Sequence, residues 1–209
     1  ERCSDGMWSE TGITLADVAR TAYLDPTALP AGISPGLDFS KTYDPPPMTY
    51  SNATHLCEIE LDTTTGAIAI ARYLVAEDCG TVLNPLVVEG QQRGAIALGL
   101  SGVLMEHVVY DRSGQNLTGT LTDYLVPTAC ELPAIEIIAM HTPSRRTPAG
   151  VKGMAEGGVM GAIGALANAV NDALAPFGIV AQRAPFSPES LRGLLRSSLR
   201  AEASARSTA

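Results

Sequence analysis

One carboxylate stands among glycines in the stretch Lys152-Gly153-Met154-Ala155-Glu156-Gly157-Gly158. Glu156 there can serve as a general base, or it can do no more than favour the start of the apolar helix that follows. A base needs a proton affinity near the operating pH, and burial raises a carboxyl toward it, so the catalytic role calls for a buried Glu156. Glycines at 153, 157 and 158 let the backbone approach a bulky group and expose N–H donors. The helix start adds a field that favours anionic groups such as phosphate. Lys152 can meet a phosphate or stand solvated on the loop.

Other polar residues point to structure rather than chemistry. Asp78 and Asn84 suit side-chain to backbone bonds that fix the turn after a strand. Glu89 and Gln91 suit polar anchors or caps. Tyr124, beside Asp123, suits a buried hydroxyl held by one hydrogen bond, although both could face a substrate funnel. His55, His107 and His141 are widely separated and show no metal-ligand spacing. Cys3, Cys57, Cys79 and Cys130 form no CxxC pair, which supports neither zinc nor an iron–sulfur cluster on this chain. Neither GxxxxGK[ST] nor GxGxxG occurs, which removes the two common nucleotide-phosphate cradles.

These residues need elements to position them. Leu15, Val18, Ala19 and Ala22 recur at helical spacing over Thr14–Tyr23, with Thr14 as N-cap. Residues 25–48 are rich in Pro and Gly and read as an extended connector. His55–Leu61 and Ala67–Ala76 read as strands joined by a hairpin turn at "DTTTG". Pro85–Glu106 reads as a long helix whose several glycines imply close packing against another backbone. A strand is expected around residues 106–110 with a turn at Asp111–Gly114, and another strand over Pro133–Thr142. Val159–Leu174 reads as a helix stopped by Pro176 and Gly178, and Ser187–Arg200 as an amphipathic helix capped by Ser187. The last nine residues read as a flexible tail. The element order favours an α+β fold. It divides into a partial helical segment (1–24), a connector (25–50), a main domain (51–200) and the tail (201–209).

The totals agree with a chain of this kind. It has 209 residues, 45% hydrophobic and 17% charged, enough for a real core. A net charge of −8 argues against nucleic acid or an anionic membrane as partner. No run is apolar enough to span a bilayer, and the scattered cysteines suit reduced thiols in the cytoplasm.

Three stretches together carry a resemblance: Glu77–Gln91 ("EDCGTVLNPLVVEGQ"), Leu117–Ile137 and Lys152–Leu174. In this order they resemble the molybdopterin-binding large subunit of the xanthine oxidase/aldehyde oxidase family, most of all carbon monoxide dehydrogenase paralogues, over roughly Gly12 to Pro185. The resemblance implies the C-terminal part of the molybdopterin-binding domain of a molybdenum hydroxylase. It implies that Glu156 is the general base beside the molybdenum, in oxidative hydroxylation of a small organic substrate with water as the oxygen source. It implies cofactor contacts from Lys152, Gly153, Met154, Ala155, Gly157 and Gly158. The cofactor implied is molybdenum–molybdopterin in its cytosine dinucleotide form, with 2Fe-2S clusters and FAD on an iron–sulfur and a flavin subunit. Large subunits of that family are several times longer, so the chain is expected to be a split subunit or a cleaved fragment. Either would be incomplete without a partner chain carrying the N-terminal part. Ala95 and Leu98 depart from the family pattern and leave helix packing there open. They leave room for the alternative, a non-catalytic scaffold or degenerate paralogue.

Overall fold

The computed structural model describes residues 12–45 and 48–207, with side chains described up to residue 200. It divides into two compact units, Glu1–Pro45 and Pro46–Ala209.

In the first unit, α1 runs Leu15–Leu24. Thr14 caps it as expected, and Asp17 closes a capping box: Thr14 Oγ1 accepts from Asp17 N and Asp17 Oδ2 accepts from Thr14 N. The following segment is not simply extended. A 3-10 turn at Pro26–Ala28 and two bonds, Gly36 N to Ala22 O and Leu37 N to the Tyr23 hydroxyl, fold it back on α1.

The second unit holds a three-stranded sheet in the order β1-β2-β3. β1 (Asn52–Leu61) and β2 (Ile68–Asp78) are antiparallel, with a register shift between Glu58 and Ile59. Asp62 folds the hairpin turn by accepting from the amides of Thr64 and Thr65, and Gly66 closes it at φ 78°. α2 (Pro85–Leu104) then crosses to β3 (Ile135–Met140), which lies parallel to β2. α3 spans Gly157–Leu174 and ends through a 3-10 turn at Gly178, whose φ of 65° suits the expected stop.

α4 (Pro188–Ser207) begins where Ser187 Oγ accepts from Ser190 N, and it runs seven residues beyond the expected end at Arg200. The helix therefore continues into the segment that the composition alone assigns to a tail. The strand expected around residues 106–110 is absent. Only a single bridge joins Tyr110 and Asn116, because the turn at Asp111–Gly114 brings back too few residues to build a ladder.

α3 lies across β1 and α2. Tyr73 and Val75 of β2, Ile96 and Leu100 of α2, and Leu166 and Val170 of α3 are fully buried between them. The α2–α3 crossing is close because it runs over glycines. A Cβ on Gly99 would lie 2.7 Å from Val159 O, and one on Gly158 would lie 3.0 Å from Ala95 Cβ. Ala95 thus belongs to the crossing itself, whereas Leu98 stays exposed. The architecture is α+β, with one parallel strand pair inside it.

Candidate active site

The loop that carries Glu156 is tied down by three sets of contacts before α3 begins, two from the end of β2 and one from α2. The end of β2 holds it first: Lys152 N donates to Cys79 O at 2.9 Å, and Thr81 N donates to Gly150 O at 3.1 Å. Gly80 turns at φ 72°, and any side chain there would run into Gly150 O. Second, Lys152 Nζ pairs with Asp78 Oδ1 at 3.2 Å, with both side chains largely buried. The same carboxylate accepts from Gly80 N at 2.8 Å and Thr142 N at 3.1 Å. Thr142, with Gly80 and Lys152, holds the Asp78 carboxyl far below the usual carboxylate range against the opposing effect of burial. Third, Gln91 Nε2 on α2 donates to Ala155 O at 3.3 Å, one residue before Glu156.

Glu156 is the N-cap of α3 but makes no side-chain cap bond. Its carboxylate is left over for other work, and the first N–H groups of α3 have no side-chain acceptor from it. The burial expected of a base is not met within this chain, where Glu156 is exposed. Its surface faces a cavity of about 770 Å3. Gly153, Met154, Ala155, Glu156 and Gly157 line that cavity on the loop side; Tyr50, Ser51, Asn52 and His55 line it from β1 and the segment before it.

Of the seven residues singled out in the loop, five line the cavity. Lys152 is taken up by Asp78, and Gly158 is buried in the α2–α3 crossing. Asn84 caps α2 by accepting from Val87 N, and Asp78 fixes the turn after β2, as their residue types indicate. Tyr124 donates its hydroxyl to Glu106, which also receives the Ser101 hydroxyl, so the loop after residue 117 is pinned to the end of α2.

His55 is the residue that the sequence undervalues. It faces α3 from β1, its Nδ1 pairs with the Tyr73 hydroxyl at 2.8 Å, and its ring packs on Gly161, where any Cβ would collide with it. Burial lowers its proton affinity. The usable signal was its place in the inward run His55, Cys57, Ile59, Leu61 of β1. Glu77, buried in β2, lies one residue beyond the expected strand Ala67–Ala76 and opens the stretch Glu77–Gln91, where it was given no role of its own.

Comparison with known proteins gives the chain its family. Residues 2–133 match the model of the molybdopterin cofactor-binding domain. The nicotine 6-hydroxylase large subunit of Paenarthrobacter nicotinovorans is 42% identical over 183 residues, covering 88% of this chain and 22% of that one. The carbon monoxide dehydrogenase large chain of Hydrogenophaga pseudoflava is 40% identical over 166 residues, covering 79% and 20%. Among solved structures, quinoline 2-oxidoreductase from Pseudomonas putida 86 superposes with a TM-score of 0.80 at 40% identity, over 87% of this chain and 23% of that one. The chain spans about a fifth of the length of the curated relatives it matches.

Proposed function

Because the chain belongs to the molybdopterin cofactor-binding family of xanthine oxidase-type large subunits, we propose that it supplies the general base of a molybdenum hydroxylase. The base is Glu156, and the reaction is oxidative hydroxylation of a small organic substrate with oxygen drawn from water. The observation that carries this reading is a carboxylate that makes no side-chain cap bond, lines a cavity of about 770 Å3, and rides on a loop fixed to both β2 and α2.

The residues suit a pterin cofactor. Gly153 adds no side chain to the loop side of the cavity between the side chains of Lys152 and Met154, and the start of α3, which has no side-chain cap, offers N–H donors and a positive field to an anionic group. Gly153, Met154, Ala155 and Gly157 would hold it. Lys152 and Gly158 would act from behind, fixing the loop to β2 and α2. When bound, molybdenum–molybdopterin, in its cytosine dinucleotide form, would supply the redox centre.

The chain's own part in turnover is to move a proton. A Glu156 oxygen takes the proton from the water that delivers the inserted oxygen, and later returns it to solvent. Closing the cavity would bury Glu156 and raise its proton affinity toward the working pH. The rest of the large subunit would supply that cover. An iron–sulfur subunit with 2Fe-2S clusters and a flavin subunit with FAD would carry the electrons away. We extend the reading to the cytoplasm, supported by Cys57, Cys79 and Cys130, which are free thiols.

Glu156→Gln in the purified complex is the test. Molybdenum content is expected to stay at the wild-type level while turnover falls by about two to four orders of magnitude. Both kcat and kcat/KM fall together, as for an interaction made in the transition state. Wild-type turnover at full molybdenum occupancy would leave Glu156 as a helix-start residue and favour the scaffold alternative.

A further inference from the structure

Glu77 is 1% exposed, and neither carboxylate oxygen has a hydrogen-bond partner. Its buried neighbour Asp78 accepts from Gly80 N and Thr142 N and pairs with Lys152; Glu77 has no such partner. Gln92 on α2 lies beside it without a bond of ordinary geometry. A chain needing only packing at this point has cheaper choices, since Val75 two residues earlier on the same face is fully buried and apolar.

The carboxyl instead occupies a particular space. A Cβ built on Gly157 would collide with Glu77 Oε1, and Ser51 Oγ lies 3.1 Å from the same point. Three segments therefore meet there: the end of β2, the residues before β1, and the first turn of α3. Ser51 and Gly157 form part of the cavity wall, and Glu77 stands directly behind them. Gly157 is the residue next to Glu156.

We propose that Glu77 is a positioning residue for Glu156: its carboxyl fills the notch left at Gly157 and so fixes the first turn of α3 against β2. The inference rests on the reading of Glu156 as the base. Any movement of the first turn of α3 carries Glu156 with it, and a misplacement of about 1 Å at a reacting group can cost about 100-fold in rate.

The test is a size exchange in the complete enzyme complex. Glu77→Ala empties the notch, Gly157→Ala crowds it, and the double variant puts the new methyl group where the carboxyl was. Each single variant is expected to lower kcat per molybdenum at least about tenfold with KM within about threefold, the split that misplacement of a base produces. The double variant recovers to within about threefold of wild type. Glu77→Gln, which keeps the shape, stays within about threefold as well. Hydrogen exchange of residues 153–161 in cofactor-free complex provides a second readout: faster in each single variant, restored in the double.

A double variant no better than the worse single one overturns the proposal, and so does wild-type kcat per molybdenum in Glu77→Ala. If Gly157→Ala does not assemble, assembly of the double variant counts as the rescue and its failure counts against. Wild-type turnover of Glu156→Gln would defeat the base assignment alone, and the exchange pattern would still report whether Glu77 fixes the helix start.

Discussion

Lys152 Nζ lies 3.2 Å from Asp78 Oδ1, four residues before Glu156, with both side chains mostly out of solvent. The pair joins the end of β2 to the loop that carries the candidate base. Removing either partner strands a buried charge, which costs about 3 kcal/mol or more. Asp78→Asn is expected to lose about that much by denaturant unfolding of the complex, and to lower kcat per molybdenum at least about tenfold by freeing the loop. The sign with pH follows from the depressed proton affinity of Asp78. Its contribution is present above the ordinary aspartate range and is lost as pH falls through the depressed value. The variant should lack that acid-side loss.

Glu77 behaves in the opposite sense. Burial raises its proton affinity, with Gln92 offsetting part of the effect. Its contribution is full below the ordinary glutamate range and is lost as pH rises through the raised value. Glu77→Gln is therefore expected to gain stability over wild type on the alkaline side and to match it at low pH. Unfolding midpoints of both proteins across that range check this; parallel curves would contradict it.

His55 supplies a third slope. Burial lowers its proton affinity, so its neutral form is favoured in the folded state and stability falls as pH drops below the ordinary histidine range. His55→Gln can keep the bond to Tyr73 and carries no proton to gain. It should flatten the stability curve in that window and leave the alkaline side unchanged.

The sequence displays the supports of this site better than its walls. Thr14, Asn84, Gly178 and the helix expected over 159–174 are local features, set by caps, stops and periodicity; each stands where its residue types indicate, except that the helix starts two residues earlier, at Gly157. Glu156 stands out in the sequence because one carboxylate among glycines is locally odd, and it lines the cavity. His55 and Glu77 were not, because their roles come from the register of β1 on β2 and from α3 lying across both. Lys152 shows the same limit. A loop lysine next to a glycine suggests a phosphate, and only the fold brings Asp78, seventy-four residues earlier, to take its charge.

The glycines of α2 give a prediction that reaches beyond this chain. Gly99 is pressed on α3, with Ala162 Cβ 2.8 Å from where its own Cβ would be, so Gly99→Ala should destabilise by about 1–3 kcal/mol through overpacking. Gly94 and Gly102 meet nothing within 4 Å. On helix propensity alone, Ala at either position should stabilise by up to about 1 kcal/mol. The same helix leaves Leu86, Val87 and Leu98 exposed, and a helix apolar on several sides is normally covered on all of them. The complete large subunit should separate these cases. If its remaining residues lie on the open side of α2, Gly94→Ala there will destabilise by about as much as Gly99→Ala, while Gly102→Ala reports on the last turn separately. Stabilisation by both would mean that the open side of α2 faces water in the assembled enzyme.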